Sequence, residues 1–518
     1  MVTIYFAEFY PGLPVMHQAT WNIAKCPTHL IAALACLGST KYHRKKGLDA
    51  ESSMLAEICF RHLNEAYARG PADYQNIEFA AASLYHQVYC LGVAVPSLHE
   101  RADNFRGILV QALRRTGVYR SINIADPWSL KVPSIEDLDP KDAAKLEFAW
   151  HQWRAAEMAK RLAWSVFEYD NSLSTLTTKR GVVSLQELPD RLPCDESLWE
   201  AQSAVAWASM ASLTGHSLQG APFRPLLREI LNGKAISDNV PSWWKRCCAQ
   251  TIARLFWNLK EMDNSILNLY ALNSFTESQK PLRKYLFQSL KLLHDSAVRP
   301  SRPQDLVHVN ITCLIYHHAN LYSQQEMMEM IILICQNGTS PNDMELDMAK
   351  TRLQMVLASD PVHARRLVYH AASIIAISRE CTVNTPCEIM RVFDAYAYVL
   401  AFVKFGPEKR KTRSSIRESC AVNLSTPATA SGTLANEASE SEDSVRLDRI
   451  PWSRTVAQQN AVVLWINKNC GYPSIDDAHD IYEDGSYAKL KAIALQAIEN
   501  LSVWDLSRRF YSTIESLN

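Results

Sequence analysis

Glycine is scarce in this chain: only 16 of its 518 residues are glycine, whereas soluble proteins average about 7%. Few glycines, together with many Ala, Leu, Met, Arg and Glu residues, favour helix over strand. Alternation of apolar and polar residues with period two, which indicates strands, is also rare. The composition therefore predicts an all-α fold.

The chain also lacks an excess of either charge, since Lys and Arg total 54, as do Asp and Glu. A compact nucleic-acid-binding domain usually has a basic excess, so a basic patch would have to be local. Hydrophobic residues make up 47% and charged residues 21% of the chain, as in soluble globular proteins. Its length exceeds that of one average core, and we expect two or more packed units.

Long apolar runs and paired cysteines are absent too. Runs such as LIAALACLG (30–38) and MIILIC (330–335) are far shorter than the roughly 20 residues that span a bilayer. The first residues, MVTIYFAEFYPGLPVMH, lack the basic and apolar regions of a secretory signal. The 13 cysteines include no CxxC pair, which favours a reducing compartment. We therefore expect an intracellular protein without a membrane partner.

Motifs for metal or phosphate chemistry are missing as well. The sequence contains no HExxH and no GxxxxGK[ST]. Cys313 and His317 are four residues apart, with His318 adjacent, but no second pair lies at a zinc-finger distance. We predict no catalytic residue, no metal site and no bound cofactor within these residues.

What the sequence does contain is a succession of helical patterns, in which apolar residues recur every three or four positions. The predicted helices cover residues 52–70, 104–120, 141–178, 246–272, 281–296, 306–336, 343–358, 361–380, 387–405, 457–469 and 487–517. The last of these is expected to break near Leu501.

One segment differs in composition. Residues 406–444 are rich in Ser, Thr, Ala and Glu and poor in large apolar residues. Such a segment buries too little surface to offset its ordering entropy, so we predict a disordered linker. The linker contains a short basic cluster formed by Lys409, Arg410, Lys411 and Arg413. An accessible cluster of this kind is a candidate nuclear-import signal, although it could equally be a solubilising feature.

The stretch WHQWRAAEMAKRLAWSVFEYD (150–170) combines large rings with charges. Spacings of 3, 4, 4, 3 and 4 residues place six side chains on one helical face: Trp150, Trp153, Glu157, Arg161, Trp164 and Glu168. Two interpretations are open, an aromatic pocket containing an acid and a cation, or a packed core with a buried ion pair. Aromatic stripes at helical spacing are usually core, which favours the second. Asp170 and Asn171 follow, and are expected to cap the next turn or to accept hydrogen bonds from Arg161.

The segment DDAHD (476–480) matches the DDxxD pattern with which terpenoid cyclases hold magnesium, through Asp476, Asp477 and Asp480. Gly471 and Pro473 precede it, which favours a loop. Only 38 residues follow, too few for a second metal-binding helix. An all-helical terpenoid cyclase-like enzyme is the less favoured alternative, and an acidic helix start stabilised by the helix dipole is preferred.

Several segments occur together in a characteristic order: FAEFYPGLPVMHQATW (6–21), LIAALACLGSTKY (30–42), DNFRGILVQALRRTGVYR (103–120), FAWHQWRAAEMAKRLAWSVFEYDNSLSTLTTKR (148–180) and SLQELPDRLPCDESLWEA (184–201). Together they resemble the fungal-specific transcription factor domain, a helical regulatory domain found behind Zn2Cys6 or C2H2 zinc fingers. The resemblance is strongest over residues 1–205.

The resemblance implies a helical regulatory domain over residues 1–405, the linker over 406–444, and C-terminal helices over 445–518 that pack back on the domain. It also implies that no catalytic residues exist and that five motif residues form the core: Trp150, Trp153, Arg161, Trp164 and Asp170.

The function implied is that of a nuclear regulator of RNA polymerase II transcription, acting on target genes such as those of a metabolic pathway. The chain has no Cx2Cx6C spacing and no C2H2 pair. We therefore expect contact with DNA only through a finger missing from this sequence, which would bring zinc, or through a partner factor. The resemblance also implies a homo- or heterodimer and a small-molecule effector. The alternative is a finger-less interaction protein that dimerises with a full-length factor.

Overall fold

The structure is a computed structural model. It describes residues 1–44, 49–93, 95–119, 142–177, 179–214, 218–263, 274–297, 302–336, 343–380, 385–406, 444–501 and 503–517. The linker predicted over 406–444, with its basic cluster, lies almost entirely outside these residues.

Most of the described residues are helical and very few lie in strands, which confirms the all-α prediction. The first ten helices are α1 (Val2–Ile4), α2 (Thr28–Arg44), α3 (Asp49–Arg69), α4 (Pro71–Tyr74), α5 (Ile77–Gly92), α6 (Pro96–Arg115), α7 (Ala143–Thr177), α8 (Glu196–Trp199), α9 (Ala204–Thr214) and α10 (Phe223–Leu231).

The remaining described helices are α11 (Ser242–Asp263), α12 (Ser274–Asp295), α13 (Pro303–Leu321), α14 (Gln325–Gln336), α15 (Asp343–Ser359), α16 (Pro361–Glu380), α17 (Pro386–Phe405), α18 (Val456–Lys468), α19 (Ser486–Asn500) and α20 (Leu506–Glu515). A π-helical turn (Tyr5–Phe9) and three 3₁₀ turns (Gln18–Thr20, Ile23–Lys25 and Pro451–Ser453) are the other helical elements of the described residues.

Local sequence explains several helix ends. The Asn76 side chain accepts a hydrogen bond from the Phe79 backbone N–H at 2.7 Å and so caps the start of α5. Thr455 and Gln458 form a capping box at the start of α18. Proline occupies the first turn of α6, where its missing N–H costs nothing.

The helix predicted over residues 306–336 is wrong as a single element, because α13 and α14 are separate. At the end of α13 the Ser323 N–H donates to the carbonyl of Asn320 at 3.1 Å, one residue short of helical pairing. This tightened turn ends the helix without a Gly or Pro that would have signalled it. The break predicted near Leu501 is confirmed, since α19 ends at Asn500 and α20 begins at Leu506.

Contacts divide the chain into two compact units. Unit 1 comprises Met1–Tyr316, Val383–Cys387 and Val503–Leu506, and unit 2 comprises His317–Thr382, Glu388–Ser502 and Ser507–Asn518. The domain boundaries predicted from sequence at residues 405 and 444 stay a prediction.

In unit 1, α2 packs against α3 and α5, while α5 also packs against α6 and α7. The long helix α7 contacts α9 and α11, and α12 contacts α10 and α11. Helix α5 is almost entirely buried, and α7 is buried from Leu162 to Ser174. A helix that is buried on every side lies in the interior of a large packed unit.

In unit 2, α14 packs against α15, and α16 packs against α18. The strands among the described residues are short: β1 (Ser444–Arg446) pairs in parallel with β2 (Tyr472–Ser474), with Val445 opposite Pro473. The pair holds the segment that precedes α18 to the segment that follows it.

Candidate functional site

The motif residues chosen from the sequence are all buried in unit 1. Trp150, Trp153 and Trp164 are at most 3% exposed, and Arg161 and Asp170 are fully buried. The indole N–H of Trp153 donates to the Leu218 carbonyl at 2.8 Å, and that of Trp164 to the Arg191 carbonyl at 3.1 Å. These rings therefore anchor the loops around α7.

Arg161 is the centre of the first charge cluster on α7. Its Nε donates to Oε1 of Glu157 at 3.1 Å, and its Nη2 donates to Oε1 of Glu196 at 2.9 Å. The guanidinium also lies 4.3 Å from the ring centre of Trp199 and 4.9 Å from that of Trp243, within cation–π range. Burial alone would lower the pKa of Arg161, but its carboxylate neighbours raise that pKa, so the side chain stays charged.

Asp170 forms a second cluster and does not contact Arg161 as one of the sequence interpretations held. Its carboxylate accepts the backbone N–H groups of Val182 and Val183, each at 3.0 Å, and pairs with Arg254 of α11. Asp170 lies well over two helical turns beyond Arg161, which explains the lack of contact. Asp170 lies within α7, which continues to Thr177, and its carboxylate fixes the chain that follows the helix.

Gly181, at this same cluster, was missed by sequence reasoning. A Cβ built on Gly181 would lie 1.7 Å from Nη1 of Arg254, far inside van der Waals contact. Glycine at this position is what lets the chain pass over the guanidinium. The segment TKRGVV shows the glycine, but nothing in that segment indicates why glycine is needed. The reason is the contact with Arg254, which lies more than 70 residues away in the sequence.

Glu168 holds the third cluster. Its carboxylate pairs with Arg246 and accepts the indole N–H of Trp243 at 3.3 Å. Arg246 donates in turn to the Gly12 carbonyl at 3.0 Å, and its Nη1 lies 3.1 Å from Nδ1 of His308. The N-terminal segment and α13 are thereby tied to α7 through α11.

The chemistry of these clusters is structural. Burial raises the pKa values of Glu168 and Glu196, and their arginine partners oppose the rise. Burial also raises the pKa values of the neighbouring thiols of Cys194 and Cys247, which disfavours a reactive thiolate. Each charge faces a fixed opposite charge or a backbone group, as buried ions require.

The aspartates of the DDAHD segment lie in a turn between β2 and α19 and not on a helix. Asp476 lies 3.5 Å from Arg379, and its backbone N–H donates to the buried Asp448. Asp480 accepts the Tyr482 N–H at 3.0 Å. Side chains engaged in this way do not converge on one point, and among the described residues no group of His, Cys, Asp or Glu could hold a metal ion.

Two further predictions from the sequence concern nuclear import and the lack of membrane-spanning helices. The import candidates Lys409, Arg410, Lys411 and Arg413 lie outside the described residues. In the part of the chain that the structure does describe, none of the helices is both long and apolar enough to cross a membrane.

Unit 2 contains a pocket that sequence reasoning could not locate. It has a cavity volume of about 100 Å³, opens to solvent, and is bordered by side chains of α14, α15, α17 and α19. Ile331, Leu346 and Leu400 are among its apolar walls, and Lys350 and Lys404 are its cationic lining residues.

The fold and these sites define a class of protein: an all-helical module in which the charged residues of the central helix α7 form buried ion pairs. Residues 2–295 match the family described as "Fungal specific transcription factor domain". Since this match covers more than half of the chain, the chain belongs to that family, which confirms the resemblance seen in the sequence.

Curated relatives point in the same direction. The chain is 29% identical over 238 residues to the "Nicotinate catabolism cluster-specific transcription factor" of Emericella nidulans, a match covering 45% of this chain and 25% of the relative. It is 21% identical over 274 residues to "Zinc finger protein klf1" of Schizosaccharomyces pombe, covering 52% of this chain and 33% of the relative. The matched part thus spans a third or less of these relatives. No solved structure matches the chain.

Proposed function

We propose that this chain is a regulator of RNA polymerase II transcription whose helical part controls activity and does not read DNA bases. The observation that carries the proposal is the family match over residues 2–295. The named relatives support it, since one is a cluster-specific transcription factor and two are zinc finger proteins. The regulatory domain is proposed to extend over residues 1–405, with the C-terminal helices of residues 445–518 packing back on it.

Contact with DNA is proposed to come from outside these residues. The 518 residues contain no Cx2Cx6C and no C2H2 spacing, and their formal net charge is zero, which does not favour a phosphate-binding surface. The DNA reader is then a zinc finger beyond this sequence or a finger-bearing partner in a homo- or heterodimer. We also propose that the chain binds a small-molecule effector and that it catalyses no reaction.

A tethering assay tests the regulatory role directly. The chain is fused to a heterologous DNA-binding module, and a reporter with the matching operator is measured against the module alone. We expect the fusion to change reporter output, and deletion of the gene to change transcript levels. Reporter output equal to that of the module alone, together with an unchanged transcriptome, would refute the proposal.

A nuclear location is proposed to depend on the basic cluster of the linker. A fluorescent fusion with Lys409, Arg410, Lys411 and Arg413 all changed to Ala should lose nuclear accumulation. The matched control exchanges Lys and Arg at the same four positions and so keeps the charge. Equal nuclear signal in the two variants would show that the cluster is not an import signal.

The finger-less interaction protein is the second candidate, favoured by the lack of finger spacings in the sequence. It predicts that the tagged chain co-purifies with a finger-bearing factor and that target-gene output rises when the chain is removed. Retention of the purified chain alone on promoter DNA would contradict this candidate.

A further inference from the structure

The pocket of unit 2 combines apolar walls with two lysines, Lys350 and Lys404. Its walls include Ile331, Ile334 and Leu400, all at most 8% exposed. Cys335 also lines it, and burial raises the pKa of this thiol to about 12, so it presents a neutral surface. The wall formed by these residues is therefore apolar and uncharged.

The cations near this pocket lack carboxylate partners within it. Its lining includes no Asp or Glu. Lys404 forms no ion pair with any described carboxylate, and its Nζ lies 5.3 Å from the ring centre of Tyr487. Lys350 has Asp347, at 3.3 Å, as its partner, on the exposed face of α15. Lys491 nearby donates to the backbone carbonyls of Glu515 and Leu517, which carry no formal charge.

The charges of Lys350 and Lys491 repel that of Lys404. Partial burial lowers the pKa of Lys404, and the charges of Lys350 and Lys491 lower it further. Like charges kept together beside an apolar cavity cost free energy that an anion would recover. A neutral apolar ligand would leave that repulsion in place, and a cationic ligand would add to it.

We propose that this pocket binds an amphipathic monocarboxylate, with the apolar body between α14, α15 and α17 and the carboxylate against Lys404 and Lys350. The Tyr487 ring already lies beside the ammonium group of Lys404 and holds that cation at the rim. The binding site stands on the geometry of unit 2 alone, whereas its role as an effector site rests on the proposed function.

Decanoate is a suitable probe, and decan-1-ol is its uncharged control. Calorimetry or quenching of intrinsic fluorescence on the purified full chain should show saturable decanoate binding that decanol does not match. Lys404→Met keeps the length of the side chain and removes the charge, and should weaken decanoate binding about tenfold, the loss of one charge-assisted contact. Lys489→Met, on α19 but outside the pocket, is the matched control and should bind as the parent does.

Ala401→Leu adds volume to the pocket wall and should weaken the binding of decanoate and decanol alike. Circular dichroism melting verifies that each variant is folded. No saturable decanoate binding, equal affinity for decanoate and decanol, or equal effects of Lys404→Met and Lys489→Met would each overturn the proposal. Binding is measured without DNA, so its failure is distinct from failure of the reporter assay. If decanoate binds but leaves the tethered reporter unchanged, the site stands and the effector role is refuted.

Discussion

Replacement of Asp170 by Asn tests whether the charge clusters of α7 hold unit 1 together. Asn keeps an oxygen that can accept the N–H groups of Val182 and Val183, but it removes the charge opposite Arg254, which is only 3% exposed. Breaking a buried ion pair on one side costs about 3–5 kcal/mol, because the remaining charge stays buried without a partner. Arg106, with Nη1 3.7 Å from the same carboxylate, adds to that cost.

The assay is urea unfolding followed by tryptophan fluorescence. At an m-value of about 3 kcal/mol/M, that loss moves the midpoint down by about 1 M or more. Asp190→Asn is the matched control, since Asp190 pairs with Arg224 at 3.7 Å at an exposed position, where a pair contributes about 0–1 kcal/mol. Equal midpoint shifts for the two variants would refute the reasoning.

The double variant Asp170→Asn/Arg254→Met sharpens this test. It removes the orphaned guanidinium and replaces it with an apolar chain, so it should be more stable than Asp170→Asn alone. If the double variant loses as much as the sum of the two single variants, the two residues are not coupled and the ion pair is not what stabilises the site.

Two further predictions concern unit 1. Gly181→Ala should destabilise the protein by about 1–3 kcal/mol because the new Cβ meets Arg254. Gly107→Ala, which meets open space within α6, should be neutral or stabilising in the same urea-unfolding assay. Burial lowers the pKa of His86 to about 4, below its unfolded value of about 6.5. As the pH falls, His86 is protonated first in the unfolded chain, so its contribution to stability is full above pH 6.5 and falls by up to about 3 kcal/mol towards pH 4. His86→Phe should reduce that slope by about one proton, and an unchanged slope would contradict the assignment.

The stripe on α7 could be predicted from the sequence because helical periodicity is local information. The spacing from Trp150 to Glu168 placed the side chains on one face, and Glu157 with Arg161 is an i, i+4 pair that the structure contains at 3.1 Å. The longer-range partners could not be predicted. Glu196, Arg246 and Arg254 come from other elements, and no local pattern couples them to α7.

Features that depend on tertiary packing could not be predicted from the sequence for the same reason. The break between α13 and α14 has no Gly or Pro signal, and the pocket of unit 2 is assembled from helices far apart in sequence. Conversely, the DDAHD segment shows how a literal match misleads. Gly471 and Pro473 correctly indicated a loop. In that loop Asp476 lies within ion-pair distance of Arg379, and Asp480 accepts a backbone N–H.

The three clusters on α7 have a mechanical consequence. Rotating a helix by one residue turns each side chain by about 100°, and sliding it by one residue moves each by about 1.5 Å. Either displacement would separate Arg161 from Glu196, Glu168 from Arg246 and Asp170 from Arg254 all at once. Helix α7 therefore has a single position in which all of these ion pairs form. Any conformational change transmitted through unit 1 must move α7 and its partners together as one rigid body.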